Sequence, residues 1–205
     1  MQVATEPLTQ NPMEPIPFEV IGKHRETYDT MTLELAAPGG FACLPGQFNM
    51  LYPFGIGESA ISISGDPSDS EVLVHTVRKV GPVTGALHAL TVGEHVGVRG
   101  PFGTSWPMDI AEGKDLVVVA GGIGLAPVRP AIYETLANRE RYKQFVLLYG
   151  ARTPEDLVFQ KELHDWRSRF DCQVEVSVDA AGHDYRGSVG VVTRFIPEAP
   201  FDPEN

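Results

Sequence analysis

The chain has 205 residues, with 16 Lys and Arg against 27 Asp and Glu, a formal charge of −11 and a pI near 4.9. A surface so acidic repels nucleic acid and anionic membranes, so neither is an expected partner. No apolar run approaches the roughly 20 residues that span a bilayer, and no membrane insertion is expected.

Met1 to Pro17 is polar and rich in proline, without a basic-then-apolar leader pattern. It reads as a flexible lead-in, residues 1–17, to a cytoplasmic protein. From Phe18 to about Gly103 the pattern is all-β. Phe18–His24, Thr30–Leu35, Gln47–Tyr52, Ala60–Ser64, Val72–Lys79 and His95–Arg99 are short, β-rich and punctuated by Gly, Pro and Asp. Thr32-Leu33-Glu34-Leu35 and Ile61-Ser62-Ile63-Ser64 alternate, so each keeps one wet face. Strands at this spacing predict a small barrel. A short helix interrupts them over Thr84–Leu90, with Thr84 as its N-cap. Gly81 and Gly85 leave the backbone there open enough to hold an anion.

Gly100 to Gly113 reads as a connector, and beyond it the period changes. Leu116–Ala120, a helix to Asn138, Gln144–Tyr149, a second helix and Gln173–Val178 alternate as a parallel sheet covered by helices does. Thr153-Pro154-Glu155-Asp156 predicts the start of that second helix: a cap, a proline in the first turn, and acids near the positive end.

The strongest single feature is the passage Asp115–Asn138. An apolar run ends in Gly121-Gly122-Ile123-Gly124-Leu125-Ala126-Pro127, after which Val128, Ile132 and Leu136 repeat at helical spacing. A buried strand, a glycine turn and a helix N-terminus together present free amides and a positive dipole end to a phosphate. Pro127 stands where the dinucleotide fingerprint would need a glycine, so the turn does not match that fingerprint. The next strand ends in Tyr149-Gly150-Ala151-Arg152, offering a ring and a cation beside the first turn. Arg152 is open between gripping a 2′-phosphate and capping its own loop. Asp179, at the end of the third strand, reads as a plain loop acid. Cys43 and Cys172 lie too far apart in sequence for a metal knuckle, and the histidines lack paired zinc spacing. His75, His88, His95 and His164 read as surface or core residues, and Trp106 as a packing aromatic in the connector.

Taken in order, Pro45-Gly46-Gln47-Phe48-Asn49-Met50, Ile61-Ser62-Ile63-Ser64, Val80-Gly81-Pro82-Val83-Thr84, Gly100-Pro101-Phe102-Gly103, the Gly121–Pro127 turn and Tyr149 to Asp156 resemble the ferredoxin–NADP reductase superfamily. Within it the chain is similar to the gamma, or diaphorase, subunits of cytoplasmic nickel–iron hydrogenases. It also resembles the electron-transfer subunit of dihydroorotate dehydrogenase and a subunit of anaerobic sulfite reductase.

The resemblance implies a β + α/β protein. A six-stranded antiparallel barrel, residues 18–110, would bind FAD, and an α/β domain, residues 111–205, would bind NAD or NADP. It sets Ser59, Ala60, Ile61 and Ser62 along the flavin ring, with Ser62 near N5, and Thr76, Val77 and Arg78 on the facing strand. Gly81, Val83 and Thr84 would open the pyrophosphate helix. Gly121, Gly122, Ile123, Gly124, Leu125, Ala126 and Pro127 would hold the nucleotide phosphates, with Tyr149, Gly150, Ala151 and Arg152 near the adenosine half. Hydride would pass between nicotinamide C4 and flavin N5, and electrons onward to an iron–sulfur, hydrogenase-type partner. Alternative expectations are a free-standing reductase for ferredoxin or an oxygenase, or a flavin-free nucleotide-binding scaffold.

Two departures from the family pattern stand out. Many relatives carry Arg-x-Tyr-Ser on the flavin strand, where this chain has Ser59 and Ile61; the missing charged contact is worth about 1.5–3 kcal/mol unless a residue such as Arg78 replaces it. The family also continues with a further strand, a Cys-Gly-Pro segment and cysteines for a [2Fe–2S] cluster, none of which this chain contains. The expectation is an incomplete α/β domain whose open sheet edge is covered by a partner or by missing chain.

Overall fold

The computed structural model describes residues 13–204. Of the lead-in, residues 1–12 lie outside the described residues, and Ile16 and Pro17 already belong to the first strand. Strands β1 (Ile16–Arg25), β2 (Thr30–Ala36), β3 (Phe48–Tyr52), β4 (Ser59–Ser62), β5 (Val72–Arg78) and β6 (His95–Phe102) form a six-stranded sheet in the order β4-β3-β6-β1-β2-β5. Every pairing in it is antiparallel. The two ends of that order meet at an antiparallel bridge between Ile63 and His75, which closes the sheet into the expected barrel. Val20, Leu33, Leu35, Leu51, Ile63 and Val96 fill its interior, and helix α1 (Pro82–Ala89) plugs it with Leu87.

Strands β7 (Leu116–Gly121), β8 (Phe145–Ala151), β9 (Gln173–Val178) and β10 (Ser188–Val189) form a parallel sheet in the order β10-β9-β8-β7. Helices α2 (Leu125–Ala137) and α3 (Gln160–Arg167) pack on it. The predicted helical face holds: Ile132 is fully buried, with Val128 and Leu136 packed against the same core. Strand β8 is buried at all seven residues, as a strand covered on both faces must be. Strand β7 is the open edge, and an apolar groove of about 430 Å³, lined by Trp106, Met108, Val117 and Val119 among others, runs beside it. No helix among the described residues is long and apolar enough to cross a membrane.

Three expectations needed correction, and one strand was not foreseen. Strand β6 runs on to Phe102, into the stretch read as connector. Thr84 is the third helical residue of α1, not its cap; the cap is Gly81, and the Thr84 hydroxyl accepts from the Gly81 amide at 2.9 Å. Pro154–Asp156 is an isolated 3-10 turn, and the second helix begins only at Gln160. The short strand β10 carried no sequence signal at all.

The halves are joined by polar contacts. The Phe159 amide donates to Glu26 Oε2 at 2.9 Å, while the Thr32 hydroxyl donates to Glu26 Oε1 at 2.8 Å. Arg129 Nη1 reaches across to the Ser64 carbonyl at 2.8 Å, and its guanidinium lies 4.2 Å from the centre of the Phe159 ring. Its other end is neutralised by Glu162. Trp106 Nε1 donates to the Pro127 carbonyl at 3.3 Å and its amide donates to the Pro45 carbonyl at 2.8 Å, so the connector ties a barrel loop to the start of α2. Glu26→Gln keeps the shape but weakens a charged acceptor to a neutral one, and should lower the unfolding free energy by about 1 kcal/mol, read as a shift of the urea midpoint.

Candidate functional site

The glycine turn sits where β7 leaves the sheet. Gly121 is extended (φ −129°), Gly122 is left-handed (φ +52°), and a single 3-10 turn over Gly122–Gly124 leads straight into α2. Amides at the start of a helical run have no acceptor within it. The Leu125 amide is already committed to the carbonyls of Gly122 and Ile123, which leaves those of Gly122, Ile123 and Gly124 as the donors on offer. A Cβ built on Gly121 or Gly124 would meet nothing within 4 Å, so the space above the turn is open. Leu125 and Ala126 are buried and Pro127 half-buried, so these three hold the turn in place rather than line a ligand.

The cleft in front of the turn has a volume of about 410 Å³ and is bordered by Gly121, Gly122, Gly150, Arg152, Asp179 and, from the barrel, Arg78. Arg78 closes it: its Nη2 lies 3.6 Å from where a Gly122 Cβ would be. Its Nε is 3.6 Å from Asp29 Oδ2 and, though buried, makes no hydrogen bond. Asp29, which also accepts from the Thr27 and Thr30 hydroxyls, has its carboxyl held below the usual range by those bonds and by Arg78, against the opposing pull of burial. A guanidinium with a spare buried donor, facing unpaired amides, fits a phosphate.

On the barrel, the N-terminus of α1 makes a second, smaller cradle. The Thr84 hydroxyl takes the amides of Val80 and Gly81, and Gly85 N closes on the Gly81 carbonyl at 2.7 Å. The amides of Val83 and Thr84 remain, and the space beside Gly81 is open. Strand β4 carries Ser59, Ala60, Ile61 and Ser62, paired with β3. Ala60 is exposed and the other three are half-buried, so this strand presents surface along its length. Thr76 and Val77 on β5 are buried; Thr76 spends its hydroxyl on Thr32 and Ser64, so both serve through backbone only.

Tyr149 stands differently from its expected role, and Arg152 takes one of the two left open to it. Tyr149 is fully buried, and its hydroxyl accepts the Val158 amide at 3.2 Å, with burial pushing its pKa up to about 12. Its ring is a core side chain and cannot stack on a base; with Gly150 and Ala151, also buried, it supplies the floor of the cleft. Arg152 is braced locally, with Nη2 3.1 Å from Asp156 Oδ1, and its pKa is raised by the Tyr28 hydroxyl and by Asp156. Of its two open readings, the structure supports the local brace.

Sequence reasoning missed the pair behind β4. His75 is completely buried, with Nδ1 2.9 Å from the Ser62 carbonyl and Nε2 3.1 Å from Asn49 Nδ2. The carbonyl requires a proton on Nδ1, so Nε2 accepts from Asn49. The signal was present: period-2 alternation in β5 puts His75 on the same inward face as Leu73 and Val77. Cys43 and Cys172 are free, half-buried thiols in separate cores, each with its pKa raised by burial.

The family model of the oxidoreductase NAD-binding domain matches residues 118–199, which begin inside β7 and include the glycine turn. The gamma subunit of sulfhydrogenase 2 from Pyrococcus furiosus is 31% identical over 177 residues, covering 80% of this chain and 61% of that protein. The gamma subunit of sulfhydrogenase 1 from the same organism is 36% identical over 163 residues, 78% of this chain and 56% of its own length. The chain is similar over most of its length to hydrogenase gamma subunits, and residues 118–199 match the NAD-binding domain of oxidoreductases. A probable electron transfer subunit of dihydroorotate dehydrogenase B (NAD(+)) from Pyrococcus abyssi is 40% identical over 114 residues, 56% of this chain and 40% of that one. The chain thus spans about 60% of the length of the two sulfhydrogenase subunits. Among solved structures, a ferredoxin NADP+ reductase from Neisseria gonorrhoeae with bound FAD and NADP shares the fold, at a TM-score of 0.77, 20% identity, and coverage of 90% of this chain and 76% of that one.

Proposed function

We propose that this chain is the FAD- and pyridine-nucleotide-binding part of an electron-transfer protein, moving electrons between NAD(P)H and an iron–sulfur partner such as a hydrogenase assembly. The observation that carries the reading is the pair of anion cradles on facing domains, with Arg78 spanning from the barrel strand to the Gly122 turn. The names of the relatives, hydrogenase gamma and dihydroorotate dehydrogenase electron-transfer subunits, support the class of reaction and of partner.

In this reading the amides of Val83 and Thr84 would hold the flavin pyrophosphate, β4 with Ser62 would flank its ring, and the amides of Gly122, Ile123 and Gly124 would hold the nucleotide phosphates. Bound flavin would supply the chemistry, accepting a hydride from nicotinamide C4 at N5 and releasing its two electrons one at a time. The protein's part is alignment and exclusion of water. Neither Ser59 nor Ile61 can grip the pyrophosphate as Arg would.

Purified protein incubated with FAD and desalted should be yellow, with about one flavin per chain, and anaerobic NADH or NADPH should bleach it. A preparation that stays colourless after FAD would overturn the flavin assignment and favour a nucleotide-binding scaffold. Stoichiometric co-purification with cysteine-rich subunits from the native source tests the partner separately from the flavin.

A further inference from the structure

We propose that Arg129 is a positioning residue: it pins the helix that carries the nucleotide turn to the end of the flavin-side strand, and so fixes how closely the two bound rings approach. The inference rests on the flavin and nucleotide reading above and deepens it by naming what holds the two halves in reacting register.

Arg129 lies on α2 four residues after Leu125, the first residue of that helix, so it moves with the turn that presents the amides of Gly122, Ile123 and Gly124. Across the boundary its Nη1 donates to the Ser64 carbonyl at 2.8 Å, two residues beyond Ser62, where β4 ends. That carbonyl sits in a fixed part of the barrel. The Ser64 amide donates to the Val74 carbonyl at 2.9 Å, the Ser64 hydroxyl bonds Thr76 at 2.9 Å, and His75 donates to the Ser62 carbonyl at 2.9 Å. The guanidinium is equally constrained on its own side. Glu162 of α3 binds Nη2, the Tyr133 hydroxyl donates to the same carboxylate oxygen at 3.0 Å, and the Phe159 and Tyr133 rings lie 4.2 and 5.1 Å from the guanidinium carbon.

Stability alone does not call for this arrangement. The side chain is only 11% exposed and its Nε is buried without a hydrogen bond. Desolvation therefore offsets much of what the ion pair contributes, and an apolar side chain of similar volume would join the halves as well. Apolar contact is non-directional and lets two surfaces slide, whereas a guanidinium held at one end and bonded to a single carbonyl at the other does not. Hydride transfer is the step that needs such control. Its reacting atoms must stand about 3–3.5 Å apart, and a misplacement of about 1 Å costs up to about 100-fold in rate.

Arg129→Met, which keeps the volume, and Arg129→Lys, whose single ammonium can bond the carbonyl or Glu162 without spanning both, test the assignment. Both should take up FAD, and by titration calorimetry should bind the oxidised form of whichever donor bleaches the parent, NADH or NADPH, within about threefold of the parental affinity. At saturating donor, anaerobic stopped-flow reduction of the flavin should be slower by about 10–100-fold, while dithionite reduces it as in the parent. In the flavin-free chains, amide exchange should quicken around Ser64 and the first turns of α2 and stay parental in β8. Parental reduction rates at saturation in both variants overturn the inference. So does a loss that more donor restores, which would make Arg129 a binding residue. Glu162→Gln loosens the guanidinium without emptying its site, and decides the question if neither Arg129 variant folds: reduction at saturation should slow by about threefold, and a parental rate overturns the inference. A folded parent that neither donor bleaches would instead sink the flavin and nucleotide reading, and this inference with it.

Discussion

Gly122→Val should abolish pyridine-nucleotide binding in a protein that still folds and still takes up FAD. Gly122 is left-handed at φ +52°, a conformation that costs an ordinary residue about 1–2 kcal/mol and is an outlier for a β-branched one. In a protein of this size that strain lowers the melting temperature by only about 2–8 °C. Function suffers more. The strain is relieved by rotating the Gly121–Gly122 peptide, which re-aims the amides that open α2. The new methyl groups also crowd Arg78, whose Nη2 is 3.6 Å from the Cβ position. Losing two charge-assisted bonds to a phosphate removes about 3 kcal/mol or more, a factor of at least about 100 in affinity. Flavin in the variant should therefore resist bleaching by NADH while dithionite still reduces it. Gly121→Ala is the control on strain: Gly121 is extended with open space around it, so its melting temperature should match the parent's. Parental bleaching rates in Gly122→Val would remove the turn from the nucleotide site.

The same turn shows why much of this site was legible in the sequence. Glycines between a buried run and a 3.6-period helix have few structural readings, because each element constrains the next. The barrel was legible in part for a similar reason: alternation in Thr32–Leu35 and Ile61–Ser64 picks out Leu33, Leu35 and Ile63 as core, but the face expected to be wet is not, because Thr32 and Ser64 are buried with their hydroxyls bonded to Thr76. The failures occurred where burial overrides local preference. Thr153-Pro154-Glu155-Asp156 has every mark of a helix start, yet Leu157 turns extended so that Val158 and Phe159 can enter the sheet core, at 0% and 3% exposure. The helix restarts only after Phe159 takes a left-handed conformation (φ 54°), its amide pinned by Glu26 from the barrel. That bond spans 133 residues of sequence and has no local signature. Tyr149 was misread because a strand buried on both faces has no wet side to betray which way a ring points.

His75 supplies a pH dependence with a defined window. Burial drives its pKa from the ordinary 6.5 down to about 4; the bonds to the Ser62 and Ile61 carbonyls favour the charged form but are outweighed. In the unfolded chain the same imidazole titrates near 6.5. Between about pH 6.5 and pH 4, the unfolded state therefore holds a proton that the native state refuses, and stability falls as the pH falls. Above that window both states are neutral and the full stability is present. The expected loss across it is about 3 kcal/mol, or about 1–2 M in urea midpoint. Asp29 and Asp171, whose pKa values lie below the ordinary 3.8, lose their contribution only at lower pH, so the histidine window is separable. His75→Asn keeps a donor within reach of the Ser62 carbonyl and removes the titration. Its stability should be lower at neutral pH, from the space left behind, and nearly flat down to about pH 4. Parallel curves for the two proteins would show that His75 is not the group responsible. The slope is the informative quantity, because a merely structural loss moves the whole curve without changing its shape. The neutral ring thus keeps one hydrogen-bonding pattern behind Ser62 throughout the range in which an ordinary histidine changes charge, and β4 presents the same surface across that range.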